Sequence, residues 1–265
     1  MVGGSTAAGN PEHRYLVDAF IERFGELVTH VITAEPLKRP IGERLVRMLK
    51  RGNYRERLAR FRYPGGYGPD EADLQRLLRP DEAEPTMPGG SRRVHVPDHN
   101  GPECEALLKK AKPEVIVVYG TRILRSNVFS QSRIITLNMH TGLSPWYRGD
   151  STLFWPVYYD DHEKLGVTVH ELVDSIDGGK IANTVRVKYE TGDHEADLFA
   201  KGVIAGTAIY LEAVQSALDG TLRCKEQDVS RDREFRWIHR TVDAERKVLA
   251  RLAVWEKTPP WQTSS

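Results

Sequence analysis

Apolar residues follow helical and strand spacings in alternation along most of the chain. Between residues 15 and 24 they recur every three or four positions, which predicts an amphipathic helix. The segment 27–34 is rich in β-branched residues and predicts a strand. Beyond it the pattern predicts helix 70–78, strand 93–96, helix 103–112, strands 113–119, 134–140, 166–170 and 179–187, helix 195–218, and a last helix 231–252 with Ser230 as its N-cap.

The fold class follows from this order of elements. The run 113–119 is apolar except at Glu114 and ends at Gly120, which is typical of a parallel strand covered on both faces. Strands that alternate with helices favour an α/β domain with a mostly parallel, twisted sheet flanked by helices. We expect this domain to span residues 1–220, with a short helical extension over 221–265.

The first strand is the irregular feature of the pattern. A sheet of this kind begins with an apolar strand that feeds a ligand-binding turn, yet residues 1–5 are too short for that strand. Truncation, a wrongly assigned start and loss of the strand are all open. The sequence therefore predicts a first strand that is short or missing.

The charge of the chain is balanced overall but unevenly distributed. The chain has 38 basic and 37 acidic residues, and the net charge of +1 is not that of a dedicated nucleic-acid binder. Residues 42–62, however, hold eight Arg or Lys against two Glu, on predicted amphipathic helices that break near Gly52. Two interpretations stay open for this basic helical insertion: a solvated helical face, or a clamp for an anionic acceptor such as a nucleotide-linked sugar or RNA.

Cysteine content and hydropathy exclude further classes of protein. Cys104 and Cys224 are the two cysteines, and neither has the spacing of a zinc site or a disulfide framework. No run approaches the roughly 18 to 20 apolar residues of a membrane span, and no signal pattern follows Met1. We expect a cytoplasmic protein without a membrane partner.

Candidate chemistry lies where three predicted strands end, since ligands of parallel sheets bind at that edge. Asn138 and His140 are two positions apart on one strand and share a face. An acidic loop with Asp177 follows another strand. An amide and a charged imidazole can donate to an oxyanion, and a carboxylate can hold the imidazole charged. Taken singly, each residue is also typical of a helix cap, a turn or a core position where its polar atoms are hydrogen-bonded.

The combined pattern resembles the folate-dependent formyltransferases, which include glycinamide ribonucleotide, methionyl-tRNA and amino-sugar N-formyltransferases. The resemblance extends from about residue 94 to residue 218 and implies the Rossmann-like formyltransferase fold. The matching positions are Asn138, His140, Leu143, Pro145, Tyr147, Arg148, Gly149, Gly166, Val167, Thr168, Val173, Asp174, Asp177, Gly179 and Ile181.

The resemblance implies transfer of a formyl group from 10-formyltetrahydrofolate to a primary amine, with no metal. It makes Asn138 and His140 the groups that polarise the formyl oxygen, and Asp177 the group that orients His140 and assists proton removal. One departure is Thr141-Gly142, where many members carry Pro-Ser, and it bears on acceptor contacts. The folate-binding positions that it implies are Arg122, Ile123, Leu124, Val173 and Asp174.

Residues around the predicted cleft have competing interpretations. Trp146 and Tyr147 either border the acceptor or belong to the core, and Arg148 pairs either with a phosphate of the acceptor or with Asp150 or another loop carboxylate. We expect His170 to pack on the sheet. Asp174 either contacts the folate or holds the conformation of its own loop through an Asx turn.

The acceptor is expected to be a small molecule. An amino sugar or a specialised metabolite comes ahead of glycinamide ribonucleotide, because a Gly-rich phosphate loop is not clearly present. The helical pattern of 221–265 has no room for a β-barrel RNA-binding domain, which disfavours transfer RNA. A 10-formyltetrahydrofolate hydrolase and a catalytically silent folate- or RNA-binding protein are the alternatives, and a homodimer is compatible with all of them.

Overall fold

A seven-stranded sheet organises the molecule. The computed structural model describes residues 2–3, 10–34, 54–63, 68–78, 87–228, 230 and 233–262. The strands of the molecule are β1 Val2–Gly3, β2 His30–Ala34, β3 Arg92–Val96, β4 Val115–Tyr119, β5 Ile135–His140, β6 Arg148–Gly149, β7 Gly166–Glu171, β8 Ile181–Arg186 and β9 Glu234–Phe235. In the sheet, strands in the order β3-β2-β1-β4-β5 are parallel, and β7 and β8 extend it in antiparallel pairing. This arrangement confirms the α/β class with a mostly parallel sheet.

Helices cover both faces of the sheet. The helices are α1 Pro11–Phe24, α2 Tyr54–Arg62, α3 Glu71–Leu78, α4 Pro102–Ala111, α5 Ser126–Phe129, α6 Phe154–Tyr158, α7 Glu195–Leu218 and α8 Val242–Lys257. On β4, Val117 packs with α1 and α7, while Ile116 packs on the opposite face with α4. The strand is therefore buried on both sides, as its continuous apolar run predicts. None of the described helices combines the length and the apolar character that a bilayer crossing requires.

The carboxyl-terminal helix corrects one prediction. It begins at Val242, not at residue 231, and its N-cap is Thr241, whose hydroxyl accepts a hydrogen bond from Ala244 N at 3.2 Å. Ser230 instead bonds to Asp228. The predicted helix is interrupted because Glu234–Phe235 forms β9, which pairs with β6 far away in the sequence, and Trp237–His239 forms a separate 3-10 helix before α8.

Two other predicted features can be located. The first strand is present and short, since Val2–Gly3 pairs with both β2 and β4. Of the basic insertion, residues 42–53 lie outside the described residues, and the remainder forms α2. Glu56 Oε1 on α2 accepts a hydrogen bond from Val242 N at 3.1 Å, which ties the insertion to α8.

Candidate active site

Pairing of β5 with β7 creates the centre of the site. Asn138 and His140 lie on one face of β5, and the antiparallel register places His170 directly opposite Asn138. The chain then leaves β7 at Glu171 and turns back towards the same place through the loop that carries Asp177. Asp177 has a φ of 45°, a left-handed conformation that Asp tolerates better than most residues.

The Asp177 carboxylate bridges two imidazoles. Its Oδ2 lies 3.3 Å from His140 Nδ1, and its Oδ1 lies 3.4 Å from His170 Nε2. Oδ2 also accepts a hydrogen bond from Gly149 N at 2.8 Å. The structure thus brings together Asp177 and His140, the two residues that the sequence predicts to act as a pair.

These neighbours decide the charge of Asp177. Burial raises the pKa of the carboxyl, but the charge of His140, the hydrogen bond and charge of His170, and the Gly149 N–H together outweigh it. The pKa of Asp177 therefore lies well below its usual range, and the group is a carboxylate at neutral pH.

Hydrogen-bond partners distinguish the two imidazoles. His140 Nε2 is 2.8 Å from the carbonyl oxygen of Tyr147, so both of its ring nitrogens face acceptors and each carries a proton when both contacts are hydrogen bonds. His170 Nδ1 donates to Glu171 O at 2.8 Å, and its Nε2 lies 3.2 Å from Asn138 Nδ2. The same Nε2 is the atom that faces Asp177 Oδ1. The site therefore places two imidazoles, one carboxylate and one amide side by side.

Gly142 gives the departure from the formyltransferase pattern a structural basis. A Cβ at this position would collide with His140 Nε2 and would lie 2.6 Å from Thr152 Cβ. The Thr152 hydroxyl donates to Thr141 O at 2.8 Å, and the Thr168 hydroxyl donates to Gly142 O at 2.8 Å, so the backbone here is held on both sides. The residue after Thr141 must be glycine for His140 to keep its present place.

The predicted folate-binding residues lie in two loops with different exposure. Arg122 pairs with Asp98 at 3.3 Å, and the Ile123 side chain is 69% exposed where β4 ends. Leu124 is buried in the core on the α4 side of the sheet. Val173 is half-buried and Asp174 is exposed. Ile123 therefore offers an exposed apolar surface on which a flat ring system can pack, whereas Leu124 holds the loop in place by packing in the core.

The residues predicted to contact the acceptor also differ in their exposure. Tyr147 is buried, stacks on Phe235 and donates its hydroxyl hydrogen bond to Asp161 at 3.0 Å. The structure therefore places its side chain in the core, and its carbonyl group, not its ring, contacts His140. Trp146 is half-buried beneath Lys164, whose Nζ is 5.8 Å from the ring centroid.

Arg148 is buried and lies 3.6 Å from Glu234 on β9. This carboxylate comes from the carboxyl-terminal segment, whose strand β9 pairs with β6.

Two histidines are absent from the predicted set, His170 at the site and His13 at the end of β4. His170 is expected to pack on the sheet, yet it contacts Asp177, and only the alternation of Thr168 and His170 along β7 hints at a shared face with β5. The His13 ring on α1 packs at a tilt against Tyr119, and Gly120, at a φ of 59°, leaves the space that the ring fills. Burial lowers the pKa of His13 to about 4, so this ring is neutral at pH 7. Within the described ranges, no group of three or more His, Cys, Asp or Glu is arranged to hold a metal ion.

Comparison with known proteins gives relatives for this chain and its fold. Over 133 residues the chain is 31% identical to the methionyl-tRNA formyltransferase of Chlorobium limicola, which covers 50% of this chain and 42% of that protein. The chain thus spans less than half the length of this curated relative.

Solved structures share the fold. A sugar N-formyltransferase from a Shewanella species superposes with a TM-score of 0.57 at 11% identity, covering 95% of this chain and 86% of that one. An N-formyltransferase from Helicobacter canadensis, solved with folinic acid and dTDP-3-aminofucose, gives a TM-score of 0.50 at 15% identity, covering 88% and 69%. Residues 69–214, more than half of the sequence, match the family described as formyl transferase. With the predicted motif and the observed fold, this match shows that the chain belongs to the formyl transferase family.

Proposed function

We propose that the protein transfers a formyl group from 10-formyltetrahydrofolate to a primary amine of a small molecule. The observation that carries the proposal is the Asp177 carboxylate, held between His140 and His170 beside the Asn138 amide. Membership of the formyl transferase family supports it. The arrangement suits acyl transfer without a covalent enzyme intermediate, because it supplies oxyanion donors and lacks an activated nucleophile among these residues.

In this mechanism Asn138 donates a hydrogen bond to the formyl oxygen, and His140 Nε2 donates to the same oxygen in place of the carbonyl oxygen of Tyr147. The amine attacks the formyl carbon, and negative charge develops on that oxygen in the tetrahedral intermediate. Such donors each contribute about 10²- to 10³-fold to the rate. The C–N bond to the amine forms, the amine loses a proton, and N10 of the folate takes a proton as its bond to the formyl carbon breaks.

Asp177 acts in this scheme mainly by keeping His140 oriented and charged. Its pKa is held well below the usual range, so the group is ionised at neutral pH and available for this role. The carboxylate also assists removal of the proton from the attacking amine, directly or through a water molecule that passes the proton to solvent. The folate lies against Ile123 and Arg122 on one side and against the loop with Val173 and Asp174 on the other.

The acceptor that we favour is an amino sugar or a related amine-bearing metabolite. The Helicobacter canadensis enzyme with the same fold was solved with a nucleotide-linked amino sugar, which supports this choice. Methionyl-tRNA is the second candidate, because the curated relatives that are about 31% identical are methionyl-tRNA formyltransferases.

The test supplies 10-formyltetrahydrofolate alone, and then with a panel containing nucleotide-linked amino sugars, glycinamide ribonucleotide and methionyl-tRNA. We expect tetrahydrofolate to form only when an amine is present, with the highest kcat/KM for an amino sugar. Turnover without any amine would identify a hydrolase and contradict the proposal. Turnover confined to methionyl-tRNA would select the second candidate, and folate binding without turnover would identify a silent folate-binding protein.

Asp177→Asn tests the assigned roles directly. The substitution removes the charge that sustains the His140 imidazolium, so we expect kcat to fall by about 10²-fold or more while the Kd for the folate stays nearly unchanged. Asp243→Asn, on an exposed position of α8, is the matched control and should leave kcat as it is. Full activity in the Asp177 variant would refute the role given to this carboxylate.

A further inference from the structure

The loop that carries Asp177 contacts residues 225–228, a segment outside the predicted catalytic domain. Ile181 N, at the end of this loop, donates to Lys225 O at 2.7 Å, and Lys225 N donates to Ile181 O at 2.8 Å. The two hydrogen bonds form an isolated antiparallel β-bridge. They hold the segment against the loop at one point, and Gln227 lies two residues further along the chain.

The side-chain amide of Gln227 makes the next contacts with the loop. Its Nε2 donates a hydrogen bond to Asp177 O at 3.0 Å and another to Gly179 O. An amide nitrogen carries two hydrogens, so one group can bond to both carbonyl oxygens. The opposite orientation of the amide would place its oxygen against two carbonyl oxygens, and the contacts therefore decide which atom faces the loop. One partly buried side chain thus holds the peptide groups that follow Asp177 and Gly179.

The backbone of Asp177 needs such a restraint. Its φ of 45° lies in the left-handed region, which a residue other than glycine keeps only where its surroundings fix it. Gly178 and Gly179 follow directly, and glycine leaves the backbone free to adopt many other conformations. A rotation of this backbone would lengthen the 3.3 Å contact of the carboxylate with His140 and its 3.4 Å contact with His170.

The carboxyl-terminal segment also supports the backbone donor of the Asp177 carboxylate. Gly149 N donates to Asp177 Oδ2 at 2.8 Å. The next residue, Asp150, donates its N–H to Phe235 O at 2.9 Å, and Phe235 belongs to β9. The carboxylate therefore depends on this segment twice, through Gln227 for its own backbone and through β9 for its backbone donor.

We infer that Gln227 is a positioning residue for Asp177, and that the catalytic unit extends beyond residue 220. The amide contacts backbone carbonyl groups and acts on the reaction only through the placement of the Asp177 carboxylate. The inference rests on the proposed function, because its effect on the rate requires Asp177 to act in formyl transfer.

Gln227→Met removes both donors and keeps the length of the side chain. We expect kcat to fall by about tenfold or more, because a displaced catalytic group costs rate in this range. In an Asp177→Asn background the same change should lower kcat less than about twofold, since the group through which Gln227 acts is already altered. A side chain that only attached the carboxyl-terminal segment would lower kcat equally in both backgrounds. Glu226→Gln, at the exposed neighbouring position, is the matched control and should leave kcat unchanged.

Amide hydrogen exchange at Gly149 measures the placement of the carboxylate without any substrate. Because the acceptor of this amide is Asp177 Oδ2, we expect it to exchange at least about tenfold faster in the Gln227→Met protein than in the wild type. The rate should be unchanged in the Glu226→Gln protein. Gln227→Glu turns a carboxylate oxygen against the two carbonyl groups, so it should act in the same direction, and it replaces the Met variant if that protein does not fold.

Unchanged exchange at Gly149 in the Gln227 variants, or equal falls of kcat in the two backgrounds, would overturn the inference. A wild-type protein that transfers no formyl group would overturn the proposed function instead. The exchange comparison would then still decide whether Gln227 places the carboxylate, so the two failures are distinguishable.

Discussion

At the scale of single residues, Gly142 sets how closely His140 can approach the strand end. The backbone at this position passes between the His140 ring and Thr152, and two threonine hydroxyls fix the neighbouring carbonyl groups. Any side chain must therefore displace the imidazole, because the backbone has no freedom to yield. The serine that many formyltransferases carry here would require a different position of the histidine ring.

Gly142→Ser should reduce both activity and stability. Moving His140 breaks its 3.3 Å contact with Asp177, so we expect kcat to fall by about tenfold or more. Crowding in a packed region destabilises by about 1–3 kcal/mol, which lowers Tm by several degrees. Gly89→Ser is the control, since a Cβ there meets nothing within 4 Å. Unchanged kcat and Tm in the Gly142 variant would show that His140 is not confined as described.

Sequence reasoning found three members of this residue cluster and missed the fourth. Asn138 and His140 are readable because they alternate on a single strand, and Asp177 is readable because its loop follows a predicted strand. His170 is not readable in the same way, because its contact with Asp177 depends on the antiparallel register of β7 against β5. The sequence leaves Tyr147 open between the acceptor and the core, because its stacking on Phe235 depends on β9, which is distant in sequence.

At the scale of secondary structure, Arg240 fastens the carboxyl-terminal helix α8 to the start of α7. It is 5% exposed, donates to both carboxylate oxygens of Glu195 at 2.8 and 2.7 Å, and also bonds to Glu245. Glu195 begins α7 and Glu245 lies in the first turn of α8. One guanidinium therefore neutralises part of the charge of two carboxylates while its plane packs over Phe154.

Arg240→Met should loosen α8 from the rest of the molecule. The substitution keeps most of the side-chain volume but leaves the buried carboxylate of Glu245 and the partly buried carboxylate of Glu195 without their cation, a change that costs about 3–5 kcal/mol. We expect a Tm decrease of about 10 °C or more. Arg246→Met, which removes an exposed pair with Asp243, should shift Tm by less than about 2 °C. Comparable Tm values for the two variants would contradict the fastening role of Arg240.

The start of α8 shows why element boundaries near this cluster escape sequence analysis. The stretch before it contains enough apolar and charged residues to predict a helix from residue 231, yet β9 and the turn Trp237–His239 occupy it. Pairing of Phe235 with Gly149 is a contact between distant parts of the sequence, and local spacing carries no information about it. The Thr241 cap is readable in retrospect, because Asp243 and Glu245 enrich the first turn with acidic residues.

At the scale of the whole molecule, folding buries one histidine whose pKa moves far from its usual value. His13 lies between α1 and the end of β4, and burial lowers its pKa from 6.5 to about 4. The unfolded chain therefore binds a proton at His13 below about pH 6.5, whereas the folded chain binds it only below about pH 4. Protonation thus favours unfolding, and the stability associated with a neutral His13 is present above pH 6.5 and lost as the pH falls towards 4.

Asp177 titrates with the opposite sign and outside this window. Its pKa is depressed by folding, so the stability it contributes is present above its usual pKa of 3.8 and is lost only in more acidic solution. Burial raises the pKa of Glu12 and of Glu195, so folding takes up protons at these groups as the pH falls. Wild-type stability is the sum of these contributions, and a variant is needed to isolate His13.

His13→Gln provides that comparison. We expect the free energy of unfolding of the wild type to fall relative to this variant by up to about 3 kcal/mol between pH 7 and pH 4.5, because a tenfold difference in proton affinity between the folded and unfolded chains corresponds to about 1.4 kcal/mol. Urea unfolding at intervals of half a pH unit measures the free energy of unfolding of both proteins. The test uses the change of their difference with pH, because altered packing in the variant would shift its free energy by the same amount at every pH. His95→Gln, an exposed position on β3, should keep the pH dependence of the wild type. Parallel curves for wild type and the His13 variant from pH 7 to 4.5 would mean that His13 does not carry the acid sensitivity of the fold.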